Sequence, residues 1–135
     1  MPIQYRSDAL YKSLAALHRQ APDVRGSALI TGDGLIIASY PPGWDSDIHD
    51  PTGGENVAAM AAVVVSTAER TMARLALGNL ERVMLEGEHH IVGVFPATAD
   101  ATLVVLIAKD AKLGLTLHSA SQAAAEIASV LNVKR

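Results

Sequence analysis

The segment from Thr52 to Leu77 constrains the fold of this chain more than any other part of the sequence. It opens with Thr52-Gly-Gly-Glu55, the Thr-x-x-Glu pattern of a capping box, in which two side chains satisfy backbone amides at a helix start. Residues 56–67 carry no charge. Gly78-Asn79 predicts a left-handed stop, since glycine ends helices without steric cost. We therefore predict one long helix whose first half is apolar on nearly every side.

Apolar residues at helical spacing predict which side of this helix faces the core. The predicted core stripe is Val57, Ala61, Val64, Ala68, Met72 and Leu75. The opposite side is not polar either, because it carries Ala59, Ala62, Val63 and Ser66. A helix that is apolar on two sides must be shielded from water on both sides. In so short a chain we expect the sheet to shield one side and a second copy of the chain to shield the other. The alternative is a helix that is fully buried within a monomer. A membrane span is not expected, because it would need about 20 apolar residues and the uncharged run covers only residues 56–67.

Composition narrows the class of protein. The chain has 135 residues, of which 50% are hydrophobic and 19% charged, and we expect a single globular domain over residues 1–135. Its 11 basic and 14 acidic residues argue against nucleic acid as a main partner, because phosphate binding needs clustered Lys and Arg. The absence of cysteine excludes disulfides and thiolate chemistry. The N-terminus lacks the apolar segment of a signal peptide, so a cytoplasmic location is expected.

The remaining elements follow from periodicity and turn signals. Ser7-Asp8 predicts a helix start, and Gly32-Asp33-Gly34 between two apolar runs predicts a β-hairpin. The last segment has apolar residues at alternating spacings of four and three, which is typical of an amphipathic helix. The predicted order is helix 7–21, strands 24–31 and 35–40, helix 52–77, strands 80–86, 89–96 and 101–109, and helix 113–131. This order indicates an α+β fold with an antiparallel sheet.

A Pro- and Gly-rich loop over residues 41–54 interrupts this pattern. Trp44, the only tryptophan, either pins the loop to the domain or offers an anchor to a partner, and we favour pinning. We expect the loop to be dispensable for folding, since surface loops change closure entropy only slowly with length. Its acidic cluster from Asp45 to Asp50, with His49, could gather a hard cation, but it lacks the glycine and distal glutamate of an EF-hand loop. A solvated loop is the favoured interpretation.

Motifs of catalysis and cofactor binding are missing from the sequence. It has no phosphate-binding Gly-x-x-x-x-Gly-Lys-Ser/Thr loop and no Gly-x-Ser-x-Gly nucleophile elbow. The five histidines are scattered, and His89-His90 beside a turn is predicted to lie at the surface. We therefore predict no catalytic residue, no metal and no cofactor.

Five segments of the sequence have a characteristic order and spacing. They are residues 26–39 around the Asp-Gly turn, the Ala-rich helix through Ala68-Glu69-Arg70 to Gly78, residues 80–87, the strand 101–108, and Leu113-Gly114-Leu115 before the last helix. Together they make the sequence resemble the prokaryotic branch of the roadblock/dynein light chain family. The resemblance covers about residues 7–131. The loop 41–54 departs from the family pattern, in which a shorter link is more typical.

The resemblance implies five antiparallel strands with the central helix on one face and the two terminal helices on the other. It also implies a homodimer in which the third strand and the central helix of each copy pair across a two-fold axis. The expected interface comprises Val57, Ala58, Met60, Ala61, Val64, Val65, Ala68, Val83 and Leu85.

Relatives of this kind bind small Ras-like GTPases, the bacterial gliding-motility polarity regulator being one type, and others are scaffolds. The resemblance therefore implies a non-enzymatic regulator or adaptor of a small Ras-like GTPase. Glu69, Arg70 and Arg74, the first charges after the apolar run, are the expected partner contacts. We expect both arginines to make a rim salt bridge, or a contact with the following strand near Glu81 or Glu86, and not to act as arginine fingers. A dimeric small-molecule sensor and a scaffold without effect on GTP hydrolysis are the alternatives.

Overall fold

The computed structural model describes residues 2–46 and 49–132, with side chains described from residue 7 onward. The elements follow in the predicted order. They are α1 (Pro2–Gln20), β1 (Val24–Thr31), β2 (Ile36–Tyr40), α2 (Gly54–Arg74), β3 (Val83–Glu86), β4 (His90–Thr98), β5 (Ala101–Ala108) and α3 (Leu113–Leu131). No helix in the described ranges is long and apolar enough to cross a membrane.

The five strands form one antiparallel sheet in the order β2-β1-β5-β4-β3. The central strand β5 is buried along its whole length. At one edge β3 pairs only with β4, so that Val83 lies opposite Val94 and Leu85 opposite Val92. Its outer backbone edge has no strand beside it within the described chain. This free edge borders the surface considered below.

Two hydrophobic layers lie on opposite faces of the sheet, because successive side chains of a strand point to opposite sides. Leu29 of β1 belongs to the layer under α1 and α3, with Leu14, Phe95 and Ile127. Its neighbour Ile30 belongs to the layer under α2. The expected architecture, with the central helix on one face and the terminal helices on the other, is confirmed.

The predicted hairpin between β1 and β2 is present. Thr31 donates its amide to the Leu35 carbonyl at 2.9 Å, and Gly34 donates to Thr31 at 3.0 Å. Gly34 has φ 85°, a conformation that glycine adopts at no steric cost. A β-carbon at this position would lie 3.2 Å from the Ala62 β-carbon and 3.3 Å from the Ala58 carbonyl. The turn therefore packs against α2.

The start of α2 differs from the prediction. The cap residue is Gly53, and no side chain caps the helix, so the capping box between Thr52 and Glu55 does not form. The Thr52 hydroxyl instead donates to Asp50 Oδ1 at 2.9 Å, and the Thr52 amide donates to the same oxygen at 2.9 Å. The Thr52 hydroxyl therefore bonds to a neighbouring carboxylate and not to the backbone amides at the start of the helix.

The end of α2 also differs from the prediction. The helix stops at Arg74, before Gly78, and Ala76 adopts the left-handed conformation with φ 55°. Leu77 donates its amide to Met72 at 3.0 Å and Ala76 donates to Ala73 at 3.3 Å. These two bonds form a Schellman motif, in which alanine occupies the position usually taken by glycine.

The face of α2 that meets the sheet is rotated from the predicted stripe. Its buried residues are Gly54, Val57, Ala58, Ala61, Ala62 and Val65. Val64, Ala68 and Met72 are only half-buried, and Leu75 is 63% exposed. The prediction failed toward the C-terminus, where no residue of α2 after Val65 belongs to the core layer on this face.

Two other boundaries were misplaced. The first helix begins at Pro2 and runs through Ser7, so Ser7 does not cap it. The third strand begins at Val83, three residues after Leu80. Antiparallel pairing with β4 sets this start, since Val83 is the first residue with a partner across the ladder.

Trp44 pins the loop to the domain, as favoured from the sequence. Its indole Nε1 donates to the Thr52 carbonyl at 3.0 Å, and the ring packs against the α2-side core. A β-carbon at Gly26 would overlap the indole, and one at Gly54 would lie 2.9 Å from Trp44 Cε3. The expectation that the loop is dispensable for folding conflicts with this packing, because removal of the loop would uncover the core at Gly26.

Candidate interaction surface

The outer side of α2 exposes two large apolar side chains. The helices α1 and α3 both lie on the other face of the sheet, so this face is covered by α2 together with the loop that carries Trp44. Met60 is 63% exposed and Val63 is 58% exposed. Each lies near the middle of the helix with no covering element from the described part of the chain. Exposed apolar side chains grouped in this way are typical of a protein–protein contact.

A groove of about 240 Å³ runs beside α2 toward the free edge of the sheet. One wall is α2, the floor is formed by β3, β4 and β5, and the end wall is the loop before α2. The lining residues are Pro51, Thr52, Asn56, Val57, Met60, Ala61, Leu85, His90, Val92 and Leu106. The lining is almost wholly apolar, so it lacks the convergent polar groups of a small-molecule site.

The nine predicted interface residues divide into three groups. Val57, Ala58, Ala61 and Val65 are buried against the chain's own sheet. Val64, Ala68 and Val83 are half-buried, whereas Met60 and Leu85 are exposed, Leu85 at 45%. The buried group thus holds α2 in place, and the exposed pair borders the groove on its two sides.

The predicted partner contacts Glu69, Arg70 and Arg74 are all exposed on the last turns of α2. Neither arginine forms an ion pair with Glu81 or Glu86, although all four residues belong to the described chain. An ion pair of either arginine with these two glutamates is therefore absent from the described chain, and the expected rim contact with a partner stays a prediction. Arg70 instead lines a second, open groove with Asp33 of the hairpin turn.

The loop before α2 brings a fixed carboxylate to one end of the first groove. Asp50 Oδ1 accepts from both the amide and the hydroxyl of Thr52, and the Asn56 amide group donates to the Asp50 carbonyl at 2.9 Å. These bonds, the Thr52 amide first and its hydroxyl second, lower the pKa of Asp50; the nearby His90 adds to the effect and desolvation opposes it. Sequence periodicity provided no signal for this arrangement, because loop residues have no period.

Within the described residues, the one histidine–serine hydrogen bond joins the half-buried His18 to the buried Ser27. His18 Nε2 lies 2.9 Å from Ser27 Oγ, and the imidazole packs on Tyr40 with ring centroids 4.6 Å apart. Burial lowers the pKa of His18 to about 4. Ser27 is fully buried, so a substrate cannot reach its hydroxyl and the pair is structural.

The acidic loop lies partly outside the described residues, which omit Asp47 and Ile48. Among the residues that are described, no three His, Asp or Glu side chains group as metal ligands would. His89 and His90 are both exposed, as predicted. The His89 ring lies 3.9 Å from Glu88, and His90 borders the first groove.

Comparison with known sequences gives one family. The model of the Roadblock/LC7 domain matches residues 11–107. Three uncharacterized proteins of Methanocaldococcus jannaschii are each 38% identical to this chain over 104 residues. The match covers 77% of this chain and 84%, 84% and 81% of the three relatives.

Solved structures share the fold at low identity. An MglB with tetrameric arrangement superposes with a TM-score of 0.80 at 20% identity, over 93% of this chain and 89% of that one. The gliding protein MglB of Thermus thermophilus gives 0.79 at 19% identity, over 93% and 90%. A Roadblock/LC7 domain from Streptomyces avermitilis gives 0.77 at 18% identity, over 91% and 98%.

Proposed function

Because this chain belongs to the Roadblock/LC7 family, we propose that it is a homodimeric regulator or adaptor of a small Ras-like GTPase in the cytoplasm, acting by protein–protein contact and not as an enzyme. The observation that carries the proposal is the exposed apolar side of α2 next to the free edge of β3. One surface of a single chain then combines a helix face, a groove and an unpaired strand.

Self-association would satisfy all three features at once. A two-fold dimer uses the same patch on both copies. Pairing of the two β3 edges would supply the missing strand neighbour, and the second α2 would cover Met60 and the groove. The free edge of β3 is a liability in a monomer, since exposed strand edges promote unwanted association. A neighbour of the same fold is an MglB with tetrameric arrangement, which supports self-association as a property of this architecture.

The proposal of a GTPase partner is supported by the family to which the chain belongs and by the fold that it shares with the gliding protein MglB. We assign the predicted contacts Glu69, Arg70 and Arg74, which are exposed at the end of α2, to the rim of the partner surface. Arg70 belongs to a regular helix and not to a protruding loop, so it is unsuited to enter another protein's nucleotide site as an arginine finger.

The dimer is tested by changing the exposed groove residues. Met60→Glu and Leu85→Asp should each shift the protein toward monomer by light scattering at micromolar concentration, because an unpaired charge in a desolvated contact is costly. Leu115→Glu is the matched control, since Leu115 is 53% exposed on α3 at the opposite face. Circular dichroism checks that each variant is folded. A monomeric parent protein would refute the dimer.

The regulatory function is tested with a small Ras-like GTPase from the same genome. We expect binding by the parent dimer, and for Arg70→Ala a loss of about 1 kcal/mol or less, as rim charges usually give. In single-turnover assays at saturating regulator, the maximal hydrolysis rate should be unchanged by Arg70→Ala. A thousandfold fall would make Arg70 catalytic, and failure of every such GTPase to bind would refute the partner.

A further inference from the structure

The apolar side of α2 continues beyond the part of the helix that packs on the sheet. Val65 is the last residue of α2 in the core layer on this face. Three further apolar residues, Ala68, Met72 and Leu75, follow at helical spacing, and we call them the distal stripe. None of the three belongs to either core layer of the described chain, and Leu75 is 63% exposed. The distal stripe therefore lacks the apolar cover that the first half of α2 has.

Helix geometry gives the direction in which the distal stripe points. Successive residues turn by about 100°, so Leu75, which comes about five turns after Val57, points the same way as Val57. Ala68 and Met72 lie within about 60° of that direction. Val57 lines the groove beside β3. The distal stripe therefore faces the side of α2 on which the free edge of β3 lies.

The groove and the distal stripe lie toward opposite ends of β3. Leu85, near the end of the strand, lines the groove. Leu75 is instead joined to Val83, the first residue of β3, by residues 76–82. Leu75 also comes roughly 27 Å after Val57 along the helix axis. A chain therefore cannot place its distal stripe in its own groove.

Pairing of two β3 edges across a two-fold axis would reverse these ends. With both α2 helices on one side of the joint sheet, the two β3 strands are antiparallel, so the start of one lies beside the end of the other. Val83 of one copy would then lie at the Leu85 end of the second copy's β3. Because β3 has only four residues, this holds in each register that pairs most of the strand. The distal stripe of each copy is thereby brought beside the groove of the other.

We propose that the distal stripe of each copy packs into the groove beside β3 of the second copy, so that two reciprocal contacts fill both grooves. The inference rests on the proposed homodimer and names the residues that complete its interface. The stripe is apolar, and no Asp, Glu, Lys or Arg is among the described residues that line the groove. Burial of one against the other thus leaves no unpaired charge, and each groove is incomplete without Leu75 of the second copy.

Substitutions at the end of α2 test the contact. Leu75→Ala should raise the dimer Kd about tenfold and Leu75→Glu should raise it further, since the first removes buried apolar surface and the second buries a charge. Ala73→Glu is the matched control, because Ala73 is exposed and points about 160° away from Leu75. It adds the same charge at the same helix end and should change the Kd less than about twofold. Sedimentation equilibrium measures the Kd, and circular dichroism checks that each variant is folded.

Cross-linking tests which surface receives Leu75. The chain has no cysteine, so introduced thiols are the only ones present. His90 is exposed and lines the groove. Leu75→Cys and His90→Cys proteins, mixed and treated with a short bismaleimide, should give a covalent dimer that neither protein gives alone. Ala73→Cys mixed with His90→Cys is the matched control and should give much less product, because its thiol points away from the groove.

The outcomes distinguish the inference from its premise. A parent protein that sediments as a monomer refutes the proposed dimer and the contact with it. A dimeric parent whose Kd is unchanged by Leu75→Glu overturns the contact alone and leaves the homodimer standing. The same conclusion follows if a dimeric parent gives no cross-link from Leu75→Cys, or an equal one from Ala73→Cys.

Discussion

The indole of Trp44 occupies space that a side chain at Gly26 or Gly54 would need. Trp44 thus packs the loop against Gly26 of β1 and against Gly54, the first residue of α2. Its hydrogen bond to the Thr52 carbonyl holds the end wall of the groove, so local packing at Gly26 is coupled to the candidate interface.

Gly26→Ala should displace Trp44. The added β-carbon would overlap the indole, and relief of such overpacking costs about 1–3 kcal/mol. Because Trp44 is the only tryptophan, its emission should move to longer wavelength in the variant. Gly32→Ala is the matched control, since a β-carbon there meets nothing within 4 Å. Unchanged emission and unchanged urea unfolding in Gly26→Ala would contradict the assigned packing.

At the scale of elements, the Schellman motif after α2 carries an avoidable cost. Ala76 has φ 55°, and left-handed geometry costs an L-residue roughly 1–2 kcal/mol. Ala76→Gly should therefore stabilise the protein by about 0.5–1 kcal/mol after the greater entropy of glycine in the unfolded chain is subtracted.

Thermal unfolding measures this gain as a rise in Tm of about 2–4 °C. Ala73→Gly, three residues earlier inside the same exposed end of the helix, is the control, and it should lower stability by about 0.5–1 kcal/mol. If both substitutions lower the Tm, Ala76 is not in the left-handed conformation in solution.

The elements that could be predicted from the sequence are those determined by residues within the element itself. The hairpin followed from Gly32-Asp33-Gly34, and β1 and α3 were predicted with their observed bounds because turn residues and apolar periodicity lie within each segment. The ends of α2 were misplaced because longer-range effects decide them. Asp50 accepts the hydrogen bond of the Thr52 hydroxyl. Leu75 follows Val65, the last residue of α2 in the core layer, and is exposed.

The candidate site was predictable only in part for the same reason. The uncharged run of α2 predicted an apolar surface, and Met60 and Leu85 do border the groove. Sequence spacing could not separate them from Ala58 and Val65, since only the sheet decides which apolar residues of a helix are covered. The contributions of Asp50, Thr52 and His90 depend on a loop and a strand that meet α2 in space.

At the scale of the whole molecule, the two faces of the sheet are covered unequally. Two helices cover one face, whereas α2 and the pinned loop cover the other and leave the strip beside β3 open. The doubly covered face holds His18, a partly buried residue and the one group in the described chain whose pKa is strongly shifted. It lies between α1 and the hairpin, against Ser27 and Tyr40.

Protonation of His18 should weaken the fold, because the partly buried ring is stable in the folded protein only in its neutral form. Burial lowers the pKa of His18 from 6.5 to about 4 in the folded protein, so the unfolded state binds the proton more tightly. The stabilising contribution is then fully present above pH 6.5 and is lost as pH falls toward 4. Since the ring is only partly buried, solvent screening reduces the loss to about 1–2 kcal/mol.

Urea unfolding at fixed protein concentration measures this loss. Between about pH 7.5 and pH 5 the free energy of unfolding should fall by more in the parent than in His18→Gln, which cannot titrate but keeps a polar group near Ser27. Carboxylates titrate in both proteins, so their effect cancels when the free energies of unfolding of the two proteins are subtracted. His118→Gln, on the exposed side of α3, is the control and should follow the parent. An equal fall in parent and His18→Gln would mean that the His18 ring is solvated in the folded protein.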